Sequence, residues 1–302
     1  MSEAFRGIIP PMITPLIDRD TLDLPGLERL VHRMLEGGVD GIFVLGTTGE
    51  APSLNHRLRR QLVEQVTQQV AGRVPVLVGI TDTSLVESAQ LAREVAEIGA
   101  DAVVTSAPFY FPAGQPELRE YLEELLPELP LPLMLYNMPA LTKTSFSREV
   151  VAWAMQQERI VGLKDSSGDL VYFRKMQHLA ERERPDWSLL VGPEELLAET
   201  VLLGGHGSVC GGANLHPRLY VDLYDSALSG DLDRARELSR SVMNLSESIY
   251  TVGQHGSAII KGIKCSLSIL GVCDDFMAAP FHRFHEEERA IIAGRLEDLG
   301  IS

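Results

Sequence analysis

The sequence predicts an α/β chain that closes into a (β/α)8, or TIM, barrel over residues 1–225. A C-terminal helical extension over residues 226–302 is expected to pack on it. Three observations predict this. Eight short apolar runs recur through residues 7–212, amphipathic stretches alternate with them, and from Pro217 onward only helical patterning remains. The runs are apolar throughout rather than alternating, as expected of parallel strands covered on both faces.

The expected strands are residues 7–14, 41–47, 75–81, 102–106, 131–137, 160–165, 188–192 and 207–212. Helical patterning covers residues 25–36, 55–70, 84–98, 115–126 and 147–156, then 220–228, 232–250, 257–270 and 284–299. Ser53 and Ser147 read as helix N-caps, because a short hydroxyl side chain can accept an unpaired first-turn N–H. Gly37-Gly38, Gly99 and Gly204-Gly205 read as helix ends. An open doubly wound sheet is the alternative topology, but no GxGxxG follows the first strand to support a dinucleotide site.

Composition narrows the function. At 302 residues with a net charge of −15, the chain has no basic surplus to neutralise phosphates, so nucleic-acid binding is not expected. Three cysteines without a CxxC pair suit reduced thiols in a cytoplasm. Met1–Arg6 carries no signal-peptide pattern, and no apolar run is long enough to span a membrane. The eight histidines show no HxH or HExxH spacing, so no metal is expected.

The polar residues that end the strand-like runs carry the chemistry. Lys164 closes the run Ile160-Val161-Gly162-Leu163, the only one of five lysines so placed. A partly desolvated amine loses proton affinity and becomes a nucleophile toward carbonyls; the alternative is a lysine reaching solvent beside Asp165. Gly46-Thr47-Thr48-Gly49-Glu50 offers two hydroxyls and loop N–H groups as a carboxylate cradle, or else a tight turn before a helix. Tyr136, in Leu135-Tyr136-Asn137-Met138-Pro139, is placed to exchange protons, or to pack with its hydroxyl satisfied. Ala107–Pro112 is an aromatic turn between prolines, read as a rigid plug or as a contact offered to a neighbouring subunit.

GTTGE, YNMP and GLKDSSGD, in this order and spacing, resemble the dihydrodipicolinate synthase / N-acetylneuraminate lyase family of class I pyruvate-dependent aldolases, over nearly the whole chain. The resemblance implies a covalent imine between Lys164 and pyruvate or a related 2-keto acid, with no metal or organic cofactor. It implies that Thr48 and the Gly46–Gly49 backbone hold the keto-acid carboxylate, that Tyr136 shuttles a proton, and that Gly211 lines the pocket floor. Thr47 would link Tyr136 to Tyr110, which matches a tyrosine the family donates across a dimer interface; a homodimer or homotetramer is therefore expected.

Leu141 departs from the synthase pattern, which has an arginine there to grip the carboxylate of aspartate semialdehyde. Leucine cannot make that bidentate contact. Glu194 and Glu195 match a position where lyase members hold polyol hydroxyls, although acidic residues also suit a solvated first helical turn. Lys143 is a substitute cation if the aldehyde carries a carboxylate, or simply a solvated loop lysine. The reading is a cytoplasmic lyase joining pyruvate to a sugar-acid-like aldehyde, or cleaving the product. The alternatives are 4-hydroxy-tetrahydrodipicolinate synthase, a keto-deoxy sugar acid dehydratase and a non-catalytic sugar-acid-binding protein.

Overall fold

The computed structural model describes residues 5–301. Eight parallel strands form one sheet: β1 (Gly7–Ile8), β2 (Ile42–Val44), β3 (Val76–Gly79), β4 (Ala102–Ser106), β5 (Leu133–Asn137), β6 (Ile160–Asp165), β7 (Ser188–Val191) and β8 (Gly207–Ser208). Their order runs β1-β8-β7-β6-β5-β4-β3-β2, every pairing parallel. The ring closes just past β1, where Pro11 bridges Phe43 in parallel and the Phe43 N–H donates to Pro10 O at 2.9 Å.

The first and last strands are shorter than the sequence predicts. Pro10 and Pro11 carry no N–H to continue a ladder, and residues Gly211–Asn214 turn into a single 3-10 turn. The sequence also left unassigned a small antiparallel hairpin, Leu16–Asp18 with Thr21–Leu22.

The ring helices are α1 (Leu24–Glu36), α2 (His56–Val70), α3 (Leu85–Ile98), α4 (Gln115–Leu125), α5 (Arg148–Met155), α6 (Leu170–Glu183), α7 (Leu197–Leu202) and α8 (Pro217–Ser229). Ser147 caps α5 as expected, accepting from Val150 N. Ser53 does not cap α2: it lies in the preceding 3-10 turn, and Asn55 accepts the Leu58 N–H at 2.9 Å instead. The Pro52 turn holds Ser53 back and leaves an equally good capping side chain two residues on.

Helix α8 runs through residue 225, and a turn at Gly230 leads to α9 (Leu232–Ile249), α10 (Ala258–Ile269) and α11 (Glu286–Asp298). Ile9, Phe43, Leu77, Val104, Met134 and Leu190 fill the barrel interior, and a larger apolar shell lies between strands and helices. This two-layer burial is what an inward-facing and an outward-facing set of strand residues should produce. Among the described residues, no helix is long and apolar enough to cross a membrane.

Candidate active site

Strand register builds the centre. Tyr136 on β5 pairs with Lys164 on β6, and Ser106 on β4 pairs with Tyr136, so the three lie side by side at the C-terminal ends of adjacent strands. Lys164 is buried, with 4% of its surface exposed. Its Nζ sits 4.0 Å from the Tyr136 ring centroid and 5.1 Å from that of Phe43. Burial pushes the Lys164 amine below its ordinary value, and the adjoining Tyr136 phenol partly offsets this. The amine faces aromatic surface rather than solvent.

Thr47 Oγ1 lies 3.2 Å from the Tyr136 hydroxyl, so the expected hydroxyl pair forms. Thr48 is half-buried beside it. The motif glycines are also required by packing within the barrel. A Cβ on Gly49 would stand 2.9 Å from Met12 O, and one on Gly46 would strike the Phe43 ring, so the loop is pressed against its own barrel. The Thr14 hydroxyl donates to Gly49 O at 2.7 Å.

Glu50 ends this loop in the left-handed region (φ +56) and is buried. Its carboxylate accepts from Lys264 Nζ at 2.5 Å and from Ala278 N at 2.8 Å, and Lys264 also donates to Phe276 O at 2.6 Å. The C-terminal helices therefore hold the cradle loop directly.

Glu194 is buried rather than solvated. Its Oε1 accepts from the hydroxyls of Tyr220 at 2.5 Å and Tyr250 at 2.7 Å, and its Oε2 from Gly212 N at 2.9 Å. Burial raises this carboxyl above its ordinary value, against the pull of those three donors. Gly211, the residue before Gly212, lies close to Glu194, and a Cβ there would meet only ordinary contacts. Glu195 is half-buried at the same turn.

Two residues stand apart from the centre. Tyr110 is 84% exposed, edge-on to Phe111 at 5.0 Å, with φ +82. Lys143 is exposed and donates to Ala140 O at 2.7 Å.

A cavity of about 220 Å³ opens between the β2–β5 ends, walled in part by the Phe43 and Tyr136 rings that also face Lys164. It is lined by Phe43, Thr47, Thr81, Ser106, Tyr136, Thr142 and apolar groups that include Leu141, and no charged side chain borders it. Sequence reasoning missed Thr81 and Ser106, although both end predicted strands as Lys164 does. It also missed Lys264, Tyr220 and Tyr250, whose roles depend on contacts far along the chain.

A profile of the dihydrodipicolinate synthetase family matches residues 4–298. The probable 2-dehydro-3-deoxy-D-pentonate aldolase YjhH of Escherichia coli K12 is 34% identical over 299 residues, 98% of each chain. The structure of dihydrodipicolinate synthase from Bacteroides thetaiotaomicron is 51% identical, covers 99% of this chain and 100% of its own, and superposes with a TM-score of 0.95. YagE of E. coli K12, solved with pyruvate, is 29% identical over 99% of both chains, with a TM-score of 0.93. With its barrel, its strand-end lysine and this match over nearly all its length, the chain belongs to the dihydrodipicolinate synthetase family.

Proposed function

We propose that this protein is a Schiff-base aldolase that joins pyruvate to a neutral hydroxylated aldehyde, or cleaves the resulting 3-deoxy-2-keto sugar acid. The uncharged, hydroxyl-bearing cavity beside Lys164 carries this reading. Aspartate semialdehyde brings a carboxylate and an ammonium group, and the cavity offers neither a partner. A sugar-like aldehyde brings hydroxyls, which suit a polar wall that carries no charge.

Lys164 Nζ attacks the pyruvate ketone and water leaves, giving the imine. Thr48 and the Gly46–Gly49 backbone hold the carboxylate, over a floor that includes Gly211. The proton lost from C3 leaves through the Tyr136–Thr47 pair as the enamine forms. C3 then attacks the aldehyde carbon, and the nascent alkoxide takes the Tyr136 phenolic proton. Water releases the product from Lys164, and cleavage is the same sequence reversed. No cofactor beyond the covalent imine is invoked.

Tyr110 supports the expected assembly as a homodimer or homotetramer, since an exposed aromatic in a strained turn is suited to reach a second copy's Thr47. The catalytic barrel is placed in residues 1–225 and the extension in 226–302, a boundary that falls within α8. The protein's three buried free cysteines, Cys210, Cys265 and Cys273, suit a cytoplasmic setting.

One observation favours the alternative, 4-hydroxy-tetrahydrodipicolinate synthase: the 51% identity to a chain described as dihydrodipicolinate synthase. Borohydride trapping with pyruvate, read by peptide mass spectrometry, followed by an aldehyde screen, separates the readings. An adduct on Lys164 with addition to glyceraldehyde but not to aspartate semialdehyde is the expected result. Preference for aspartate semialdehyde overturns it.

A further inference from the structure

The residue expected to hold a polyol, Glu194, is already engaged by two tyrosine hydroxyls and a backbone N–H. A carboxylate has about four acceptor positions, so three bonds leave little for a substrate. Substrate hydroxyls therefore need partners on another side of the barrel mouth.

The cavity between the β2–β5 ends supplies one. Just beyond β3, Thr81 Oγ1 accepts the Ser106 N–H at 2.9 Å and lies 3.4 Å from Ser106 Oγ. The bond from the Ser106 N–H fixes its position, and among the described residues Thr81 makes no hydrogen bond in which its own hydroxyl is the donor. The other cavity hydroxyls have other work. Thr142 donates to Met138 O or Thr144 O at 3.1 and 2.9 Å, Ser106 Oγ has Ala107 O at 3.1 Å, and the Thr47–Tyr136 pair, 3.2 Å apart, is the one assigned above to proton exchange at the imine.

The bond to Ser106 places that donor one strand beyond a registered row. Ser106, Tyr136 and Lys164 occupy one row across three adjacent strands. Two strand spacings, about 10 Å, separate the Ser106 and Lys164 backbones, with Tyr136 between them. If Tyr136 meets the aldehyde oxygen, the next group along the cavity is the carbon beyond the carbonyl and its hydroxyl.

We propose that Thr81, oriented by Ser106, donates a hydrogen bond to the hydroxyl adjacent to the aldehyde carbonyl and so selects 2-hydroxyaldehydes. This rests on the proposed aldolase function. Thr81 is a binding residue, and the imine chemistry at Lys164 does not require it.

The test compares wild type, T81V and T81S in the addition of pyruvate to D-glyceraldehyde and to propanal, which lacks the hydroxyls. For T81V, kcat/KM with glyceraldehyde should fall roughly 10-fold while propanal changes by less than about twofold, and T81S should recover most of the loss. Pyruvate trapping at Lys164 should be equal in all three proteins. An equal loss with both aldehydes, no loss with glyceraldehyde, or a T81V protein that no longer traps pyruvate overturns the assignment and leaves the aldolase reading standing. A wild type that accepts only aspartate semialdehyde overturns that reading, and the role of Thr81 with it.

Discussion

Lys264 on α10 forms an ion pair with Glu50, 214 positions earlier in the chain, at 2.5 Å and with neither side chain reaching solvent. Two charges withdrawn from water are tolerated only while both are present and fully bonded. Here the pair fastens the loop bearing Thr47 and Thr48 to the C-terminal helices.

Removing one partner strands the other charge. Glu50→Leu or Lys264→Met alone should cost about 3–5 kcal/mol, and the double variant should regain most of that. Urea unfolding checks the stability cycle. In the double variant the pyruvate KM should rise more than kcat falls, because the cradle loses its anchor while Lys164 and Tyr136 keep theirs.

Lys164→Met should abolish the borohydride-trapped adduct and yet stabilise the protein at pH 7, since it removes a buried amine. The folded-state pKa of Lys164 is lowered from 10.5, so the unfolded chain binds the extra proton. Wild-type stability therefore rises with pH up to the unfolded value, and the advantage of the variant should shrink over the same range. Thermal melts from pH 7 to 10 test this.

Tyr136→Phe removes the proton exchanger and leaves the ring over Lys164. The expected loss in kcat for aldol addition is roughly 10²–10⁴-fold. Adduct formation with pyruvate should survive, at a slower rate, in single-turnover trapping. Loss of the adduct itself would show that the phenol chiefly supports the lysine.

Leu141→Arg restores a bidentate cation at the cavity wall. Turnover of aspartate semialdehyde should rise about 10- to 100-fold, the range for a hydrogen bond to a charged group. If the wild type already uses that aldehyde efficiently, Leu141 is not the excluding feature.

His206 is held neutral by burial, its pKa lowered to about 4, with Nδ1 accepting the Leu189 N–H at 3.1 Å. The unfolded imidazole binds a proton near pH 6.5, so stability is lost as pH falls from 6.5 toward 4. His206→Asn keeps an acceptor at that place and should flatten this part of the stability profile in denaturant titrations.

What the sequence made legible were strand-end polar residues. Lys164 and Tyr136 stand out because an apolar run stops at each, and the ring topology follows from eight such runs. Thr81 and Ser106 obey the same rule but lack the reactivity that draws attention to a lysine. Lys264 was not readable, since its helix shows ordinary amphipathic spacing and its partner lies on another layer of the fold. Glu194 was legible as an acid near the site, but its tyrosine partners come from α8 and the end of α9, which no local pattern connects to it.

The seam between β1 and β8 has a consequence for how the chain must be made. Gly7 pairs with Gly207 so tightly that a Cβ on Gly207 would fall 2.0 Å from Gly7 O. Until residue 207 leaves the ribosome, β1 and β7 each present a bare strand edge open to other chains. Fragments ending before that glycine should therefore aggregate, and a bulkier residue at position 207 would have to displace the Gly7 backbone before that edge could be covered.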